Sequence, residues 1–175
     1  MPEAILWIGG AIVACFLLVV FWGAPYVPTR KRQLNQAFDE LYQLKPTDVV
    51  IDVGAGDGVV LRAAAERGAK AVGYELNPLL VLVAKWLGRK YGSRMVVRWK
   101  DFWRQTLPPE TTVVYAFLEG RDIAKMERFL LEQAKARKQP LYFISYGFEL
   151  PDIPPQKKVG AMVLYEFATE RKNRG

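Results

Sequence analysis

The chain contains no histidine. That removes the commonest general base and the commonest metal-ligating side chain. A single cysteine, Cys15, rules out an intrachain disulfide, and no Cys/His metal cluster can be assembled. No Gly-Lys-Ser/Thr follows a glycine-rich loop, which excludes a Walker-type phosphate site. Charge is missing from one long stretch: positions 4–24, 21 residues, hold no Asp, Glu, Lys or Arg. As a helix that stretch spans about 31 Å at ~1.5 Å per residue, close to the hydrocarbon thickness of a bilayer. Trp7 and Trp22 fall near its two ends, where aromatic side chains prefer the interface. The chain opens Met1-Pro2-Glu3, without the basic n-region of a cleaved signal peptide. The basic cluster Arg30-Lys31-Arg32 comes after the run instead. The expectation is a retained single-pass transmembrane anchor over 1–25, with the rest of the chain on the cytoplasmic side.

What is present begins with Val49-Val50-Ile51-Asp52-Val53-Gly54-Ala55-Gly56-Asp57-Gly58. A β-rich run ends in an acid, and alternating glycines lead into a helix-like run. Glycine at such a turn allows positive φ and close approach of a ligand. Dinucleotide folds use a similar turn, with pyrophosphate at the helix N-terminus. Their pattern is G-x-G-x-x-G, whereas here Val59 stands where the third glycine belongs. Asp52 and Asp57 flank the turn, and two carboxylates repel a pyrophosphate. S-adenosylmethionine carries an ammonium and a sulfonium and no phosphate, so acids suit it. Glu75 ends a second predicted strand, Ala69–Glu75, about twenty residues further on, where an acid can accept both ribose hydroxyls. A third strand, Met95–Lys100, leads to Asp101-Phe102-Trp103, an acid for the adenine amino group with an aromatic beside the ring. The predicted cofactor set is Asp52, Gly54, Ala55, Gly56, Asp57, Gly58, Glu75, Leu76, Asn77, Asp101 and Phe102, with no metal.

The run from Asp52 to Pro78, Gly-Tyr-Glu-Leu-Asn-Pro at 73–78 and Lys-Asp-Phe-Trp at 100–103 resemble class I S-adenosylmethionine-dependent methyltransferases. More narrowly, the chain is similar to the small membrane-anchored protein-lysine methyltransferases. Their mitochondrial members modify the c-subunit of ATP synthase and the adenine nucleotide translocase. Pro25-Tyr26-Val27-Pro28-Thr29 and Ser145-Tyr146-Gly147-Phe148 with Pro151 share that likeness. Leu118-Glu119-Gly120 stands where those relatives often carry a Leu-Pro turn.

The remaining pattern predicts an α/β fold with a mostly parallel sheet and an antiparallel last strand after the N-terminal transmembrane helix, and the resemblance implies that this is the Rossmann-like class I methyltransferase sheet. Residues 26–47 are a basic juxtamembrane segment and a lid helix. In that helix Leu34, Ala37, Phe38, Leu41 and Leu44 recur at helical spacing, and Pro46 stops it. Packing in the core is the competing role for its apolar face. The methyltransferase domain covers 48–170, and 171–175 is a polar tail. Asn77 and Pro78 read as N-cap and first residue of a helix that is apolar nearly all round through Leu87, which predicts burial on both sides, with contact to the anchor or the bilayer as the alternative. Strands are expected at 113–117, 141–146 and 162–167, with Lys158-Val159 as a hairpin partner for the last.

The net charge of +7 suits anionic lipid, nucleic acid or acidic proteins. The position of Arg30-Lys31-Arg32 favours lipid, and the other cations read as solubilising, with no nucleic-acid partner. The resemblance implies methyl transfer to a lysine of a membrane or membrane-adjacent protein. A neutral amine is needed, so the site must desolvate the lysine or accept its proton. With no histidine, the candidate catalytic residues are Glu119 and Tyr115; Asp101 is the remaining acid, assigned to adenine. Three other readings stand beside this one: a small-molecule or lipid methyltransferase, a non-catalytic cofactor-binding membrane scaffold, and a dinucleotide oxidoreductase. No Asn-Pro-Pro-Tyr follows the fourth strand, which speaks against the adenine-N6 and glutamine methyltransferases.

Overall fold

Runs of β-branched and aromatic residues form the strands where their side chains are covered on both faces. A computed structural model of the chain describes residues 3–10, 13, 31–118, 120–135 and 137–168. Seven strands are present: β1 (Val49–Val53), β2 (Lys70–Glu75), β3 (Met95–Trp99), β4 (Val113–Phe117), β5 (Leu141–Tyr146), β6 (Lys157–Val159) and β7 (Met162–Phe167). They form one sheet in the order β3-β2-β1-β4-β5-β7-β6. The first five are parallel, and β7 and β6 close the far edge antiparallel. The expected Rossmann-like, mostly parallel sheet is therefore observed, including the short partner of the last strand.

Strand order reverses between β1 and β4, which leaves a crevice beyond the carboxyl ends of the strands. The register sets Asp52 opposite Gly73 on one side and Tyr115 on the other. Three helices cover one face: α1 (Lys31–Asn35), which runs on as a π-helical turn (Gln36–Leu41), α2 (Val59–Glu66) and α3 (Pro78–Gly88). The long α4 (Gly120–Lys135) covers the other, with Ile123, Met126, Leu130 and Ala134 inward.

The helix over 31–41 is a layer of the core. Leu34, Ala37, Phe38 and Leu41 are buried, as is Leu44 just after it. Arg67, which follows α2, holds it by a two-pronged ion pair to Asp39 (2.7 and 2.7 Å), a bond to Asn35 Oδ1 (2.9 Å) and a position over the Phe38 ring. Near its start, Gln33 donates to the Tyr146 hydroxyl at the carboxyl end of β5.

Burial of α3 on both sides does not hold. Val81, Ala84 and Gly88 face the core, but Leu82 is 63 % exposed and Trp86 63 %. Only one face of this helix meets the sheet, at its β3 edge, and among the described residues no element covers the other.

Among the described residues no helix is long and apolar enough to cross a membrane. The expected anchor over 1–25 lies mostly outside them; within it, 3–10 are helical, with Ile5, Leu6, Trp7 and Ile8 exposed. Glu119 and the tail 171–175 also lie outside the described residues.

Candidate functional site

The turn after β1 is built by three left-handed glycines, Gly54 (φ 72°), Gly56 (φ 54°) and Gly58 (φ 78°). The chain reverses tightly enough for the amides of Gly54 and Ala55 both to donate to Tyr74 O (3.0 Å each). Gly73 is small for a related reason: a Cβ there would lie 2.5 Å from Ala55 Cβ and 2.6 Å from Leu61 Cδ1. The turn and α2 thus press directly onto β2.

Glu75, at the carboxyl end of β2, ties the turn to the next loop. Its Oε2 accepts from Gly56 N (2.8 Å) and its Oε1 from Asn77 N (2.8 Å), and the side chain is buried. Asn77 in turn caps α3, accepting from Leu79 N (2.9 Å) and Leu80 N (3.4 Å). Leu76 lies exposed between them.

Asp52 is 3 % exposed, and its Oδ2 has no hydrogen-bond partner among the described residues. Burial, then the charges of Glu75 and Asp57, hold its carboxyl well above the usual carboxylate range. Asp57 is already engaged. Its carboxylate accepts from Val59 N (3.1 Å) and pairs with Arg62 Nη2 (3.1 Å), while Arg62 Nη1 also bonds its carbonyl (2.5 Å). Asp57 therefore caps α2 instead of presenting a free charge. Arg62 is the residue that sequence reasoning missed; its spacing of five from Asp57 on the opening turns of a helix was the available signal.

Asp101 sits beyond β3. It accepts from Trp103 N (3.0 Å), and its outer oxygen faces Arg104 Nε (3.4 Å). Phe102 is buried among Tyr74 (centroids 5.8 Å), Trp103 (5.5 Å) and Phe129 (4.9 Å). Tyr115 is 1 % exposed, beside Asp52 in strand register and 6.2 Å from the Phe38 ring. The structure thus gathers Asp52, the glycine turn, Glu75, Leu76 and Asn77 at one end of the sheet, with Asp101 and Phe102 beyond the neighbouring strand.

A buried acid lacking a partner beside a backbone turn fits a ligand bearing positive charge. A Cβ at Gly54 would meet nothing within 4 Å, so the turn opens onto free space. The cation at the turn, Arg62, is taken up by Asp57, so a pyrophosphate there would find that charge already paired. The topology and the acid-lined glycine turn place the chain among the Rossmann-like α/β methyltransferases. Residues 52–157 match the ANTKMT methyltransferase domain, and the chain belongs to that family.

The chain is 33 % identical over 117 residues to the ATP synthase c-subunit lysine N-methyltransferase of Xenopus laevis, covering 61 % of this chain and 51 % of the relative. It is 32 % identical over 117 residues to the protein of that name from Rattus norvegicus, covering 61 % and 53 %. The chain spans about half the length of these curated relatives. Among solved structures, an RNA methyltransferase from Salinibacter ruber in complex with S-adenosyl-L-homocysteine superposes with a TM-score of 0.71 at 27 % identity, covering 85 % of this chain and 98 % of that one.

Proposed function

We propose that this chain is an S-adenosylmethionine-dependent protein-lysine N-methyltransferase acting on a membrane or membrane-adjacent protein. The observation that carries the reading is the likeness to the ATP synthase c-subunit lysine N-methyltransferases, together with the family match over residues 52–157, which includes the acid-lined turn. The cofactor would be held by Glu75 at its ribose, Asp52 near its positive end, the backbone of 54–58 alongside, and Asp101 with Phe102 toward adenine. When bound, S-adenosylmethionine supplies an electrophilic methyl group on a sulfonium.

The chain's own task is then alignment and control of one proton. The parallel strands hold Asp52 and Glu75 in fixed positions, so little reorganisation remains at the moment of reaction. The target lysine must lose its proton, and desolvation at the carboxyl end of the sheet favours the neutral amine. We assign Glu119 to receive that proton and Tyr115, whose phenol oxygen can accept a hydrogen bond but not the proton itself, to orient the amine. Tyr115, enclosed under Phe38, acts only if the substrate lysine reaches past the turn.

The uncharged run at 4–24, with Arg30-Lys31-Arg32 after it, supports a single-span anchor and a domain on the cytoplasmic side. Tethering raises the effective concentration of a bilayer-embedded substrate.

The test is transfer of labelled methyl groups from S-adenosylmethionine by the purified full chain to membranes of cells lacking it. Label on a lysine of a membrane protein, located by mass spectrometry, is the expected result. Label in the lipid or small-molecule extract, or in RNA, would overturn the protein-substrate reading. Cofactor binding without transfer to any fraction would indicate a scaffold.

A further inference from the structure

The helix whose outer face is uncovered among the described residues carries both apolar and basic groups there. Leu82, Val83 and Trp86 (63, 42 and 63 % exposed) recur at helical spacing on the outer side of α3. Trp99, 65 % exposed at the end of β3, and Leu76, at the end of β2, extend the patch to the rim of the site. Trp99 is held there by its indole N–H, which donates to Leu76 O (2.9 Å). From Pro78 to Lys100 the chain has no acidic residue and six basic ones. Lys85, Arg89, Lys90 and Lys100 are exposed, and the Arg89 guanidinium lies 4.9 Å over the Trp86 ring. The nearby acid Glu66 is engaged with the Tyr91 hydroxyl (2.6 Å).

We propose that the outer face of α3 and the end of β3 form a membrane-docking surface that seats on an anionic bilayer and turns the mouth of the site toward the lipid headgroups. Charge complementarity selects the occupant. An unbroken basic stretch is attracted to anionic lipid, and tryptophans settle at the interface between headgroups and chains. Leu82 and Val83 decide against RNA, because aliphatic side chains gain from hydrocarbon and nothing from phosphate or base stacking. Docking goes beyond the functional reading above: it concerns the domain's own surface and holds whether or not the run at 4–24 spans the bilayer. Its consequence is orientation. Leu76 adjoins Glu75 in sequence, so a seated α3 puts the cofactor end of the sheet at the membrane plane.

Spin-label depth measurements on the full chain test this directly. The native cysteine is removed by Cys15→Ala, and one nitroxide is placed by Leu82→Cys, Trp86→Cys or Glu132→Cys, the last on the exposed side of α4. Each protein is reconstituted in phosphatidylglycerol-rich or pure phosphatidylcholine vesicles, and melts confirm that each variant folds. On phosphatidylglycerol the labels at 82 and 86 are expected to gain oxygen accessibility and lose access to a soluble nickel chelate. The label at 132 should stay in water on both lipids. Lys85→Gln, Arg89→Gln and Lys90→Gln should each lower the docked fraction at 82, with a docking constant about fivefold weaker per charge. Nickel accessibility at 82 equal to that at 132 on the anionic vesicles would overturn the proposal. So would protection by a second copy of the chain, seen as spin–spin broadening without lipid, or protection by RNA and not by vesicles. Methyl-transfer activity does not enter the readout, so failure here is distinct from failure of the assigned reaction.

Discussion

Asp52 and Glu75 are both buried acids, yet they play opposite parts in the free protein. Glu75 is satisfied by two backbone amides and organises the loops. Asp52 keeps one oxygen without a partner among the described residues, and burial with two like charges holds its carboxyl well above the usual range. The folded chain therefore retains a proton where the unfolded chain has lost it. The stability linked to that proton is full below the reference value of 3.8 and falls as pH rises through the raised folded value. Asp52→Asn removes this cost. Without ligand, the variant should melt above the parent at neutral pH, with the gap closing in acid. It should also bind S-adenosylmethionine more weakly by about 1.5–3 kcal/mol, the scale of a hydrogen bond to a charged group. Melts across pH and calorimetry check the two halves separately. A variant that melts lower at neutral pH would show that Asp52 is ionised and paired in the free protein.

At the scale of elements, the site depends on how closely the turn and α2 press on β2. Gly73 permits that approach, since even one methyl would overlap Ala55 and Leu61. Gly73→Ala should cost about 1–3 kcal/mol by overpacking, measured by denaturant titration, and weaken cofactor binding by shifting Gly56 away from Glu75. Unchanged binding alongside lost stability would separate packing from site geometry. Strand limits were legible in the sequence because their cores are short apolar runs punctuated by Gly, Pro and acids, as at Val49–Val53 and Val113–Phe117. The single-sided burial of α3 was not. A run of Leu and Val gives almost no periodicity, so composition predicts two covered sides when the sheet ends at β3 and supplies one. The π-helical turn at Gln36–Leu41 was equally hidden. Its apolar spacing fits an ordinary helix, and nothing in that spacing marks the turn on which Phe38 lies near Tyr115 and Asp39 meets Arg67.

For the molecule as a whole, the acids proposed to line the site come from the ends of β1, β2 and β3, far apart along the chain and brought together by parallel pairing. Sequence spacing alone put Asp52, Glu75 and Asp101 near strand ends, because each closes a strand-like run and a parallel sheet sets those ends side by side. It did not show that Asp57 is taken up by Arg62, since a side-chain clamp depends on rotamers and not on periodicity. A ligand bridging these strand ends binds only the assembled sheet, so its free energy should appear in global stability and not in one loop. At a hundred times its dissociation constant S-adenosylmethionine should add about 2.7 kcal/mol. For a domain of this size that is a rise of roughly 5–10 °C in a single cooperative melt. NADH at the same concentration should leave the melt unmoved, because Arg62, the cation at the turn, is already paired with Asp57 and is not available to a pyrophosphate. A melt raised by NADH and indifferent to S-adenosylmethionine would mean that the acid-lined turn accepts phosphate after all, and the assignment of this sheet to sulfonium chemistry would fall with it.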